Sequence, residues 1–201
     1  MLHAGTVHSC ASSGFITLVR DLGLSLAGRV AVMASGSNAA PAQLANKCGA
    51  EASIPVARVE AVDTAIVYSS HISRYGSIPA TRIAHSGSST MVHVTMLDEV
   101  QLAAVDASEG SYQRVSLVGS FATFLGPVHA YESWRGQLEV AGGPIRVTEV
   151  PATSDLKAGT QIEALDLVAA LTGCADDGPT LSQLVASGAI DAEDVSRLIV
   201  D

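Results

Sequence analysis

Val30-Ala31-Val32-Met33-Ala34-Ser35-Gly36-Ser37-Asn38, with Ala39-Ala40-Pro41-Ala42-Gln43-Leu44 behind it, is the stretch around which the rest of the chain is arranged. The apolar run predicts a strand, the small residues a tight turn, and the Ala-rich continuation a short helix. Such a turn directs several backbone N–H groups to one point. The first N–H groups of a helix lack partners within it and the helix dipole is positive there, so the point attracts anions. Gly36 removes the side chain that would block close approach, and Ser37 or Asn38 is suited to cap the helix. Pro41 falls in the first turn, where its missing N–H costs little.

A second segment sharpens this reading: Val105-Asp106-Ala107-Ser108-Glu109-Gly110-Ser111-Tyr112. The two together resemble the gamma-glutamylcyclotransferase family. Its members carry a Tyr-Gly-Ser-Asn loop after the first strand and an acidic helix end reading roughly Asp-x-x-Glu-Gly before a Tyr. Gly36, Ser37 and Asn38 match the loop; Asp106, Glu109 and Gly110 match the helix end, and Tyr112 fits the aromatic position. One departure stands out: Ser35 occupies the place of the family's tyrosine. The resemblance spans roughly Arg29 to Trp134.

The resemblance implies a reaction in which the free α-amine of a γ-glutamyl group attacks its own side-chain carbonyl, expels an amine and closes 5-oxoproline. No metal or other cofactor is implied, because the nucleophile is tethered and orientation supplies much of the rate. Glu109 would be the catalytic base, and the backbone around Ser35, Gly36, Ser37 and Asn38 would hold the substrate's carboxylate or the developing oxyanion. A carboxylate just past a helix C-terminus faces the unfavourable end of the dipole, an unusual place unless it has a task. Tyr75-Gly76-Ser77-Ile78-Pro79-Ala80-Thr81 resembles the family's glycine-containing approach to the cavity, which adds Tyr75 and Gly76 to the substrate-binding set along with Tyr112. His71-Ile72-Ser73-Arg74 is placed to line the same cavity, where the Arg74 guanidinium suits a carboxylate bidentately. The partner is then a small molecule with a γ-glutamyl or similar carboxylate group. The alternative is a non-catalytic module on the same fold, binding a small acid or another protein.

The elements follow in order. Residues 1–28 form an N-terminal segment with a short helix around Phe15–Leu22, bracketed by Gly14 and Gly23. Ala42–Lys47 reads as the helix after the turn, with Gly49 as its stop. Val56–Val62, Thr64–Tyr68, Thr90–Leu97, Tyr112–Val118, Val128–Ser133 and Ile145–Val150 read as strands. In Thr90–Leu97, Val92, Val94 and Met96 share one face, and His93 points outward with Thr95. Asp98-Glu99-Val100-Gln101 is a capping signal for a helix ending near Asp106. Strands in this number with few helices between them predict an α+β fold. Its sheet is small, mainly antiparallel and barrel-like, with helices outside. The expected organisation is an N-terminal segment (1–28), a cyclotransferase-like domain (29–150) and an acidic helical C-terminal extension (151–201). In the extension, Ile162–Leu171 closes at Gly173, Thr180-Leu181-Ser182-Gln183 is a capping signal, and a last helix starts at Asp191. These helices are too short to stand alone, so they dock on the sheet or on a second copy of the chain in a homodimer.

Composition sets the outer bounds. The chain of 201 residues is 48% hydrophobic with a mean hydropathy of +0.34, so it can build a core; aromatics are only 4%, so that core is aliphatic. A net charge of −9 argues against nucleic acid, which needs a basic face. Most of that charge lies beyond Pro151, consistent with a distinct segment. Cys10, Cys48 and Cys174 are far apart and show no CxxC spacing, predicting free thiols in a reducing compartment. His3, His8, His71, His85, His93 and His129 give no pair at zinc-ligand spacing, and no metal site is predicted. Gly36-Ser37-Asn38 is not a Gly-x-Ser-x-Gly elbow, and no dinucleotide or P-loop fingerprint occurs. The start of the chain lacks the basic and apolar regions of a signal peptide, and no run reaches the roughly 20 apolar residues of a membrane helix. A soluble cytoplasmic protein is expected.

Overall fold

A computed structural model of the chain describes residues 1–11, 14–117, 121 and 123–200. In chain order the elements are β1 (Leu2–His3), β2 (Thr6–Val7), α1 (Phe15–Asp21), β3 (Val30–Ala34), α2 (Pro41–Cys48), β4 (Val56–Tyr68) and β5 (Ala80–Leu97). There follow α3 (Glu99–Ser108), β6 (Tyr112–Ser116), β7 (Val128–Ser133), β8 (Glu139–Val140), β9 (Gly143–Pro144), β10 (Arg146–Val147), β11 (Ala152–Thr153) and β12 (Ala158–Gly159). Three helices end the chain: α4 (Gln161–Thr172), α5 (Gly178–Ala186) and α6 (Ala192–Val200). Val118, expected at the end of a strand, lies outside the described residues.

β3 runs through the middle of the molecule, and its continuous apolar character is explained by burial on both sides. Ala31 and Met33 face the larger core, shared with Ala57, Ile66, Val94 and Val128 from the sheet. Val32 faces a smaller core with Leu44, Leu97, Val105 and Tyr131, under α2 and α3. The main sheet runs β12-β10-β4-β5-β3-β7-β6, with β11 pairing β5 off this path. Most neighbours are antiparallel; β3 with β7 and β10 with β12 are parallel. The fold is mixed α+β. Among the described residues the sheet's path stays open between β12 and β6, with no pairing that closes it into a barrel.

The two strands expected at Val56–Val62 and Thr64–Tyr68 are one strand, interrupted by a bulge at Asp63, whose φ is +50°. Its carboxylate accepts the Gly87 N–H at 2.8 Å, which stabilises the bulge across the hairpin. The partner strand begins at Ala80, well before the alternating Thr90–Leu97 stretch, and His93 is exposed as expected. α3 opens with the anticipated capping box: Asp98 accepts the Gln101 N–H at 3.0 Å and Gln101 returns the bond to the Asp98 N–H at 3.2 Å.

α5 starts earlier than its Thr180 signal, because Asp177 caps it and accepts the Thr180 N–H at 2.7 Å. Asp in this role leaves Pro179 in the first turn, where it is tolerated. Gly178 is required there, since a Cβ would lie 2.6 Å from the α4 backbone. The C-terminal helices do not stand apart: Val168, Leu181, Val185 and Val195 belong to the same buried cluster as the sheet residues. Among the described residues no helix is long and apolar enough to cross a membrane, and all three cysteines are free.

Candidate functional site

β3 ends at Ala34 and delivers the chain into a bend at Ser35–Gly36 and a single 3₁₀ turn, Ser37–Ala39, before α2 begins. This turn forms one wall of a cavity of about 980 Å³. Ser35, Gly36, Ser37, Asn38, Arg74, Tyr75, Glu109 and Tyr112 all line it, so segments far apart in sequence meet there. Gly76 does not. Its φ is +77° and a Cβ would fall 2.2 Å from the Ser182 carbonyl oxygen, so this glycine lets the loop pack on α5.

Gly36 and Gly110 have the opposite character. A Cβ at either would meet nothing within 4 Å, and neither has a positive φ. Nothing in their own packing calls for glycine; the missing side chain leaves open space at the cavity wall. Gly36 and Ser37 donate their N–H groups to no loop or side-chain acceptor among the described residues. The Ser35 hydroxyl oxygen is shielded from solvent and has no hydrogen-bond partner among them.

Asn38 does not cap a helix. The N-cap of α2 is Ala40, without any side-chain cap bond, and Pro41 holds the first position. Asn38 turns instead to Glu109, donating from Nδ2 to Oε1 at 3.0 Å while its own Oδ1 accepts from Lys47 Nζ at 2.6 Å. Bonds to charged groups are roughly twice as strong as neutral ones, which explains why the side chain abandons the cap.

Glu109 is the C-cap of α3, and its side chain is only 12% exposed. Oε1 accepts from Asn38 and, at 2.8 Å, from Lys47 Nζ, with Ser108 Oγ at 3.4 Å as a weaker neighbour. Oε2 has no protein donor among the described residues. The carboxylate is therefore anchored by one oxygen and unengaged at the other. Lys47 counters the negative end of the α3 dipole and sits in the last turn of α2, where a cation is favoured. Sequence reasoning missed it. The available signal was its place one turn after Leu44, on the buried side of α2.

Asp106, the first acidic residue of the motif, braces the site from behind. It accepts from Arg114 Nε at 2.9 Å and Nη2 at 3.2 Å, and from the Tyr131 hydroxyl. These bonds tie the end of α3 to β6 and β7, which fixes where Glu109 emerges. Burial, and then the bond to Asp106, push the Tyr131 phenol pKa upward.

The facing wall holds His71, Arg135 and the start of α6. His71 is buried, and burial, with the Arg135 charge adding to it, lowers its pKa to about 4, so the imidazole is uncharged at neutral pH. Its Nδ1 bonds Ser69 Oγ at 2.7 Å, and its ring meets Tyr112 edge-on at 5.8 Å. The Tyr112 hydroxyl donates to the Ala80 carbonyl at 3.1 Å; burial first, and then the Glu109 charge, push its pKa up. Arg135 forms a forked ion pair with Glu193 of α6 at 2.5 and 2.6 Å. Ser196, also on α6, accepts the Ile72 N–H at 3.2 Å. The C-terminal segment thus supplies cavity wall, which its sequence did not announce. Arg74 stacks its guanidinium 4.7 Å from the centre of the largely exposed Tyr75 ring. Among the described residues no cluster of His, Cys, Asp and Glu could hold a metal ion.

No protein-family model matches the chain, and no curated protein matches it. Several solved chains are similar to it, two of them as follows. One is a gamma-glutamyl cyclotransferase, at 12% identity and a TM-score of 0.44 over 85% of this chain and 98% of that one. The other is an uncharacterized protein from Homo sapiens, at 13% identity and a TM-score of 0.44 over 87% and 99% of the two chains.

Proposed function

We propose that the cavity is the active site of a gamma-glutamylcyclotransferase-like enzyme acting on a small molecule with a γ-glutamyl group. The observation that carries this reading is the anchoring of Glu109: Asn38 and Lys47 hold Oε1, and among the described residues Oε2 has no protein partner beside the open turn. A base needs such an arrangement, fixed in direction yet with one oxygen free to take a proton. The substrate's α-carboxylate sits at the N–H groups of Gly36 and Ser37, where the missing Cβ of Gly36 permits close approach. Its α-ammonium gives a proton to Glu109 Oε2, and the freed amine attacks the side-chain carbonyl carbon. As the amide C–N bond breaks, Glu109 passes that proton to the leaving nitrogen. It then takes the second α-nitrogen proton, leaving the lactam N–H, and gives it to the departing amine, which leaves as an ammonium. Holding the two ends of one molecule in contact supplies much of the rate. Ser35 lines the cavity with a smaller side chain than a tyrosine would, its hydroxyl shielded from solvent.

Co-crystallisation with 5-oxoproline tests this placement. The expected result is the ligand's carboxylate at the Gly36 and Ser37 N–H groups and its lactam N–H within hydrogen-bond reach of Glu109 Oε2. A ligand bound with its carboxylate elsewhere would remove the basis for the reading.

A further inference from the structure

We infer that Lys47 is a second catalytic residue of this site, donating a hydrogen bond to the carbonyl oxygen of the γ-glutamyl amide as that oxygen becomes negative. The inference rests on the reaction proposed above and goes beyond it, since the motifs that suggest the reaction do not include Lys47.

An ammonium carries three N–H donors and accepts nothing. Lys47 directs two of them at Asn38 Oδ1, at 2.6 Å, and Glu109 Oε1, at 2.8 Å. Among the described residues the third has no acceptor, although the side chain is only 17% exposed and lines the cavity. A cavity-lining ammonium with one donor to spare is suited to a ligand oxygen. The two bonds also fix Nζ beside the carboxylate that takes the proton, so the same atom lies near the carbon under attack.

In the chemical step the α-nitrogen forms a bond to the side-chain carbonyl carbon, and the π electrons of that carbonyl move to its oxygen. Lys47 donates to this oxyanion and keeps all three of its protons. When the carbonyl re-forms, the bond to the leaving nitrogen breaks, Glu109 returns its proton to that nitrogen, and the second α-nitrogen proton passes through Glu109 to the released amine. A donor held in place before the charge develops needs no reorganisation, and removing one such donor typically costs about 10²–10³ in kcat.

The test compares Lys47→Met with the parent, alone and in a Glu109→Gln background, by the initial rate of 5-oxoproline release. The expected result is a fall in kcat of about 10²–10³ with KM changed less than about threefold. In the Glu109→Gln background the residual rate should fall by about tenfold or more, because Lys47 acts on the carbonyl directly. A double variant no slower than Glu109→Gln alone overturns the inference, since Lys47 would then act only through Glu109. A loss confined to KM overturns it too. Should Lys47→Met fail to fold, as judged by thermal melting, Lys47→Gln takes its place, retaining a neutral donor and giving an intermediate loss. If the wild type releases no 5-oxoproline from any γ-glutamyl compound, the proposed reaction fails and the catalytic role of Lys47 with it; binding then tests the donor contact alone. The lactam oxygen of 5-oxoproline is the former amide oxygen, so Lys47→Met should bind 5-oxoproline at least about tenfold more weakly, by calorimetry, the usual effect of losing one hydrogen bond from a charged donor. Equal affinity, or no binding by the wild type, overturns the inference.

Discussion

Glu109→Gln lowers the turnover of a γ-glutamyl substrate by at least about a hundredfold, the lower end of a general base's usual contribution. The substituted amide keeps the shape of the side chain, and its oxygen still accepts from Asn38 Nδ2 and Lys47 Nζ. What it loses is the capacity to take the α-ammonium proton. Because Lys47 retains Asn38 Oδ1 as an acceptor, the site stays assembled. The far-UV circular dichroism should be unchanged, and the melting temperature should move by only a few degrees, given roughly 2–4 °C per kcal/mol for a chain of this size. Steady-state kinetics beside a thermal melt checks both halves. A variant that turns over a wild-type substrate at near-normal rate would remove Glu109 from the mechanism.

Deleting residues 180–201 should abolish soluble, folded protein. The cut removes Leu181, Val185 and Val195, all buried in the main core together with sheet residues. At roughly 1.5–3 kcal/mol for each buried side chain, their loss is comparable to the whole stability of a typical domain. It also uncovers α4, which packs against both α5 and α6. The same deletion removes Glu193 and Ser196, which hold Arg135 and the Ile72 backbone at the cavity wall. Size-exclusion chromatography and thermal melting of the truncated chain read the outcome. A truncated protein as soluble and thermostable as the parent would mean that these helices are an independent arm.

The parts of this molecule governed by short-range chemistry were legible in the chain. β3, the turn and α2 follow from an apolar run, small residues and a proline in the first turn, and α3 follows from the reciprocal bonds of Asp98 and Gln101. Glu109 stood out because a carboxylate past a helix C-terminus is locally unfavourable. What stayed hidden depends on distant partners. Lys47 looks like an ordinary helix-ending cation until α3 brings Glu109 to it. Asn38 looks like a cap until that same carboxylate competes for its amide. Gly76 looks like part of a ligand loop, yet the backbone it must avoid belongs to Ser182 on α5. The acidic tail reads by its charge as a distinct segment, whereas Glu193 pairs with Arg135 at the cavity wall. Two apparent strands joined at Asp63 for a similar reason: the bulge there is held by the Gly87 N–H of the opposite strand.

The most direct measurement is the product ratio from the wild-type protein. Incubated with a panel of γ-glutamyl amino acids, amines and peptides, it should release 5-oxoproline and free amine in equal amounts from at least one of them, with no free glutamate. Equal release is required because cyclisation uses the substrate's own amine and no water enters the product. Release of glutamate in place of 5-oxoproline, or no release from any member of the panel, would contradict the assignment of this cavity as a cyclotransferase site.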